Sequence, residues 1–361
     1  MIRVVALVPY PARRAPGQRF RIEQWAPLLR AGGVEVMVDS FLDDAGMDVL
    51  YAPGHAAAKA MSVLGGYGRR ARRVRTLDGY DAAYVYREAA LGRPTWIERA
   101  VARRLPIVYD FDDAIYLPAA SAANARLGFL KDPGKAEKLC RLAAHVTVGN
   151  EHLAGFARRH ASQVTVVPST IDTEQYVPPG PRPAPARLVI GWTGSATTLP
   201  YLEAILPALR RLKARTDFEL RVIGGHLDDA ALAIRNVPWS AATEVADLRP
   251  IDVGLMPLAD DEWTRGKCGM KALQYMALGI PPVVSPVGVN TTIVRHGVNG
   301  MLATTDDEWV ARLEELGRNP ALRARLGGEA RRTVETEFSA AVHAPRMAAV
   351  LRAAAARAGP R

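Results

Sequence analysis

The chain has 361 residues, of which 49% are hydrophobic and 23% charged, a length and composition that call for two globular domains with cores needing no disulfide or metal. Lys and Arg outnumber Asp and Glu by 47 to 37, but seven of the 47 are Lys and 40 are Arg, so much of the net charge of +10 reads as compositional drift. Two distant cysteines, Cys140 and Cys268, exclude a disulfide framework, and no apolar run approaches the roughly 20 residues needed to span a bilayer.

The opening run, residues 1–10, is apolar but short and lacks a small-residue cleavage site. It reads as a first strand over 4–9, and the protein is expected in the cytoplasm, with the inner face of the membrane as an alternative location. A loop over 11–21 follows, then a helix over 21–31 stopped by Gly32 and Gly33, and a second strand over 34–38. The basic run Arg69, Arg70, Arg72, Arg73 and Arg75 reads either as a solvated loop or as a contact for acidic lipid headgroups. No zinc pattern, helix-turn-helix or stacking-aromatic module accompanies the charge, which argues against nucleic acid. Strands are expected over 82–86, 106–110, 145–148 and 164–167, with a helix over 136–144.

The stretch 176–187 is dense in proline, which lacks a backbone donor and fixes φ, so it reads as an interdomain linker. The pattern then restarts, with strands over 188–191, 219–223, 252–257 and 282–285. Helices are expected over 199–213, 267–278, 309–316, 320–338 and 340–356. This alternation predicts an α/β protein built on parallel sheets. The expected domains are 1–175, the linker 176–187, 188–338, and a terminal helix 339–361 that packs back on the first domain. Two such domains place a ligand cleft beyond the carboxyl ends of the strands.

Four segments carry candidate chemistry. In 265–281, Arg265, Lys267 and Lys271 collect positive charge at a loop-to-helix junction suited to a diphosphate, with Lys267 and Lys271 on one helix face; Gln274 follows with an amide able to meet a ribose hydroxyl. A solvated basic edge is the competing reading. In 190–198 a strand ends in a hydroxyl-rich turn with Gly194 and Ser195, where backbone N–H groups can approach phosphate, unless it is an ordinary capped strand-to-helix turn. In 108–116, Asp110, Asp112 and Asp113 sit at a strand's carboxyl end, where clustered carboxylates raise one another's pKa and serve as base, hydroxyl orienter or metal ligand, or else cap a helix. The first loop offers Gly17, Gln18 and Arg19, and Gly288 follows another strand. His296 reads as a turn residue, and no metal site is assigned.

With these residues in view, the chain resembles glycosyltransferase family 4, the retaining family with the GT-B fold of two Rossmann-like domains facing across a deep cleft. The resemblance rests on Gly266 to Pro281 (GKCGMKALQYMALGIP), 284–288 (VSPVG) and 296–300 (HGVNG), with 17–25 (GQRFRIEQW), 109–116 (YDFDDAIY) and 167–172 (VPSTID) in the first half. It implies a C-terminal domain that binds a nucleotide sugar, UDP- or GDP-linked, with no tightly held cofactor. By resemblance Lys267 and Lys271 meet donor phosphates or sugar, Gln274 the ribose, and Gly194 and Ser195 the diphosphate. Asp112 or Asp113 then lies near the acceptor hydroxyl, and the acceptor is a carbohydrate, a lipid-linked molecule or a small molecule. Members of the family frequently carry two glutamates separated by seven residues, and here those positions hold Gly266 and Gln274. Thr197 and Thr198 stand where an Arg and a Lys are frequent. These departures keep two alternatives in view, a noncatalytic sugar-nucleotide-binding protein and a GT-B-like epimerase.

Overall fold

The computed structural model describes residues 1–50, 52, 54–118, 132–180 and 187–357. It divides into two compact units, Met1–Ser169 together with the residues from His343 onward, and Thr170–Val342. Of the Pro-rich stretch, residues 181–186 lie outside the described residues.

The first unit is a six-stranded parallel sheet of β1 (Ile2–Val8), β2 (Val34–Ser40), β3 (Ala82–Tyr86), β4 (Ile107–Phe111), β5 (His145–Val148) and β6 (Val164–Val166), in the order β2-β1-β3-β4-β5-β6. The order reverses at β1, whose Val4 pairs with Val34 of β2 on one side and Ala82 of β3 on the other. Val4 to Val8 are buried on both faces, as helix-covered parallel strands must be. The final helix, Ala340–Ala356, reaches this unit: Arg352 donates to the Gly32 carbonyl, and Arg357 Nη1 donates to Ala144 O at 2.9 Å.

The second unit is also a six-stranded parallel sheet: β7 (Leu188–Thr193), β8 (Phe218–Ile223), β9 (Ala233–Val237), β10 (Val253–Met256), β11 (Pro282–Val284) and β12 (Met301–Leu302). Its order, β12-β11-β10-β7-β8-β9, is the doubly wound dinucleotide-binding order, with the reversal between β7 and β10. Ile190, Trp192, Leu220, Val222 and Leu255 form its core with Leu209, Leu212, Trp309 and Leu313 from the covering helices. Tyr275 ties the two strands at the reversal: its hydroxyl accepts from Thr193 N at 2.9 Å and donates to Leu255 O at 3.3 Å. A Cβ on Gly254 of β10 would lie 2.3 Å from the Tyr275 ring, so only glycine lets this clamp close.

Several elements differ from the expectation. Residues 16–21 are a helix (Pro16–Arg21), begun by a proline at its first position, so Gly17, Gln18 and Arg19 are helical and not in a loop. The chain breaks at Ile22 (φ −143°) before a single turn and the helix Ala26–Ala31, where one continuous helix was expected. Residues 199–213 likewise form two helices, Leu199–Glu203 and Leu206–Lys213, the second with a proline in its first turn. Strand β9 carried no apolar alternation, since its residues are only half-buried at the sheet edge. The basic run lies on a 20-residue helix, Ala56–Arg75, and not in a loop. Arg70 is fully buried there: it bonds the Asp39 carboxylate and the carbonyls of Val8 (2.7 Å) and Ala89 (2.6 Å).

Candidate functional site

In the second unit Gly194, Ser195 and Lys271 come together at the carboxyl end of β7, beside the reversal. Gly194 follows the strand, and a Cβ there would fall 2.4 Å from the Trp192 ring and 2.6 Å from Thr198 Oγ1. Its N–H donates to Ile223 O at 2.9 Å, and Ser195 N donates to Thr198 Oγ1 at 3.2 Å. Both N–H groups are bonded within this unit, that of Gly194 to the end of β8 and that of Ser195 to the turn's own Thr198. The exposed face of the turn is instead hydroxylic, with Ser195 Oγ and Thr197 Oγ1 2.8 Å apart.

Lys271 reaches this turn from the helix Met270–Ala277. Its ammonium sits 3.4 Å from Thr198 Oγ1 and 5.6 Å from the centroid of the Trp192 ring. Lys267 does not share that helix, because Gly269, at φ +70°, caps it one turn later than expected. Lys267 lies in the preceding loop, its ammonium 4.6 Å from the Trp263 ring centroid. Arg265 ends the short helix Glu262–Arg265, started by a reciprocal Asp261–Thr264 cap, and its guanidinium forks onto Asp260 at 2.7 and 3.1 Å. Gly288 (φ +53°) packs against Arg265: a Cβ there would approach the Arg265 backbone to 3.0 Å. Gln274 is buried, and its Nε2 donates to Tyr176 Oη at 3.1 Å. Tyr176 donates to Glu244 Oε2, whose other oxygen accepts from Trp239 Nε1 at 2.9 Å. The Gln274 amide nitrogen thus serves an internal network that the sequence reading did not foresee.

In the first unit the three aspartates separate by function. Asp110 is fully buried and accepts from Arg21 Nε (2.9 Å), Arg21 Nη2 (2.5 Å) and Thr147 Oγ1 (2.6 Å), which makes it a structural ion pair. Asp112 Oδ1 accepts from Tyr86 Oη at 2.9 Å and from Arg87 Nη2 at 2.7 Å, and Arg87 also lies 3.6 Å from Asp113. The expectation that these carboxylates raise one another's pKa fails for Asp112. Burial alone would raise it, but the charges of Arg87 and Arg21 and the bonds from Arg87 and Tyr86 hold it below the ordinary carboxylate range. Arg87 and Tyr86 were overlooked, although they stand at the carboxyl end of β3; Arg87 also holds a left-handed backbone, φ +59°. Gly17 packs against this group, since a Cβ there would lie 2.3 Å from Tyr86 Oη and 3.2 Å from Asp112 Oδ2. Gln18 is buried against Tyr10, accepting from its N–H at 3.1 Å and donating to its carbonyl at 2.9 Å, while the Arg19 guanidinium lies 4.5 Å from the Phe20 ring.

Two Rossmann-like parallel-sheet units, the second with hydroxyl and ammonium groups at its topological switch point, define a GT-B protein. Residues 187–319 match the family model described as glycosyl transferases group 1. Over that segment the chain is similar to the glycosyl transferases of group 1, and its two-sheet fold is the GT-B fold. Two D-inositol 3-phosphate glycosyltransferases are similar in sequence. The Stackebrandtia nassauensis protein is 29% identical over 211 residues, 50% of this chain and 46% of that one. The Thermobispora bispora protein is 34% identical over 100 residues, 27% of this chain and 22% of that one. The matches thus span about half or less of these relatives' length. Among solved structures, sucrose-phosphate synthase from Thermosynechococcus elongatus has the same fold (TM-score 0.73, 15% identity), over 99% of this chain and all of that one. Anabaena HepE in complex with UDP and glucose matches with a TM-score of 0.67 at 16% identity, over 98% of this chain and all of that one.

Proposed function

We propose that the protein is a glycosyltransferase that moves a sugar from a UDP- or GDP-linked donor to a hydroxyl of a carbohydrate, lipid-linked or small-molecule acceptor, with retention and without a divalent metal. The observation that carries this reading is the meeting of Lys271 with the Ser195–Thr198 turn at the switch point of a dinucleotide-order sheet. As the glycosidic bond breaks, negative charge grows on the diphosphate, and a fixed ammonium with nearby hydroxyls stabilises it. Lys267 lies in the loop that leads into the same helix. Arg265 joins them by exchanging its fork on Asp260 for phosphate oxygens. In the first unit Asp112 stays ionised beside Arg87, so it suits orienting an acceptor hydroxyl better than donating a proton. Asp113, 3.6 Å from Arg87, is the second carboxylate placed for that hydroxyl. The Anabaena protein HepE, structurally similar, has been solved with UDP and glucose, which supports a UDP-linked donor.

The test is calorimetry with UDP and GDP in the presence and absence of a chelator, followed by product analysis with the donor that binds. Metal-independent binding and transfer to an acceptor are expected. Failure to bind any nucleoside diphosphate removes the reading. A second reading, a noncatalytic sugar-nucleotide-binding protein, is favoured by the missing carboxylate at Gly266; binding without turnover on any acceptor would select it.

A further inference from the structure

Among the large hydrophobic side chains left in solvent, three fall on one surface of the first unit. Met61 is 68% exposed, Leu64 63% and Trp96 48%. Met61 and Leu64 are one turn apart on the helix Ala56–Arg75, and Tyr67, one turn further, stacks on Trp96 at 5.8 Å and 19°. The helix is exposed at Ala56, Ala57, Ala58, Ala60 and Gly65, and at Met61, Leu64, Gly68, Arg72 and Arg75, which follow one another at three- or four-residue spacing. Its outer face is therefore apolar or small over its first three turns and basic at its end, and the helix contains no Asp or Glu at all.

The neighbouring helix, Trp96–Ala102, repeats the polarity. Trp96, Arg99 and Arg103 are spaced by three and four residues and are all exposed, while its one acid, Glu98, is buried. The stack of Tyr67 on Trp96, and the 3.0 Å bond from Arg104 Nη1 to Val74 O, align the two helices in the same direction. Their apolar starts thus lie together, and so do their basic ends. The arginines of the run 69–75 divide sharply. Arg69 pairs with Asp43, and Arg70 and Arg73 with Asp39, whereas Arg72, Arg75, Arg99 and Arg103 have no ion pair among the described residues. Among those residues no helix is long and apolar enough to cross a membrane.

We propose that this two-helix face seats the first unit on an anionic phospholipid bilayer. Met61, Leu64 and Trp96 enter the boundary between headgroups and acyl chains, where an indole is favoured, and Arg72, Arg75, Arg99 and Arg103 lie on the headgroup phosphates. A second copy of the chain is the poorer occupant, because a two-fold contact through this face would set the same two helices, which expose arginines and no acid, against each other. Free phosphate would satisfy the arginines but leave the apolar triad in water. The inference goes beyond the donor chemistry of the second unit and does not depend on it.

Vesicle flotation of the full chain tests it. The wild-type protein is expected to float at low salt with vesicles of equimolar phosphatidylglycerol and phosphatidylcholine, and to stay down with phosphatidylcholine alone. Arg72→Ala with Arg75→Ala should weaken binding by about thirtyfold, from the usual contribution of two surface arginines. Met61→Ser with Leu64→Ser should also release the protein with an unchanged melting temperature, since both side chains are already in water. No flotation by the wild type, equal flotation with neutral vesicles, or retention by both double variants would overturn the proposal. A lipid-free dimer that the Met61→Ser, Leu64→Ser variant abolishes would also overturn it, by assigning the face to a second copy.

Discussion

Tyr176 donates its phenolic hydroxyl to the buried carboxylate of Glu244, and in turn accepts from the amide of Gln274 at 3.1 Å. This places an amide, and not a second carboxylate, beside an already buried glutamate. The resemblance to family 4 makes position 274 a customary glutamate. Here a glutamate would add a negative charge to a network whose phenol already serves Glu244, and burying two such charges close together is costly.

Gln274→Glu should therefore destabilise the protein at pH 8 by more than at pH 5. The added carboxylate, crowded by Glu244, has a raised folded-state pKa. Its cost is absent when it is protonated and appears as the pH rises through its ionisation. Melting temperatures of wild type and variant across this range check it, and a gap independent of pH would refute the charge argument. Tyr176→Phe should cost about 1–3 kcal/mol at any pH, because it strands both the Gln274 donor and a Glu244 oxygen.

Lys271→Ala should weaken UDP or GDP binding by about 1.5–3 kcal/mol, the worth of a hydrogen bond to a charged group. Calorimetry reads this directly. An unchanged affinity would move the diphosphate away from the Ser195–Thr198 turn.

Asp112→Asn should lower stability by a margin that is steady from pH 8 to pH 5. Because the Asp112 pKa is depressed in the fold by Arg87 and Arg21 against the opposing effect of burial, its contribution is complete above the ordinary carboxylate value of 3.8 and is lost as the pH falls further. Urea midpoints of both proteins against pH would show it. Asp113→Asn should instead lower turnover more than nucleotide affinity, and equal activity would acquit that residue.

Cys140 should resist alkylation in the native protein at pH 8, since burial pushes its thiol up to about 12. Mass spectrometry after iodoacetamide should find it modified only after denaturation. Native labelling within minutes would contradict the packing around the helix Gly134–Leu142.

The amino-acid pattern by itself determined the α/β class, nearly every strand of both sheets, and the segments that follow their carboxyl ends. Those properties are local: a buried parallel strand is a short continuous apolar run, and a turn is written in its glycines and prolines. Pairing was decided only by the tertiary structure. Three neighbouring aspartates became a structural ion pair at Asp110, an arginine-held carboxylate at Asp112 and a carboxylate 3.6 Å from the same arginine at Asp113, because Arg21 and Arg87 arrive from other elements. A run of five arginines became three paired side chains and two outward ones through Asp39 and Asp43. Two lysines four residues apart came to lie on different elements because Gly269 starts the helix after the first of them. Spacing along a chain ranks which residues are near; the partner that neutralises or orients a charge comes from a distant segment, and only folding brings it there.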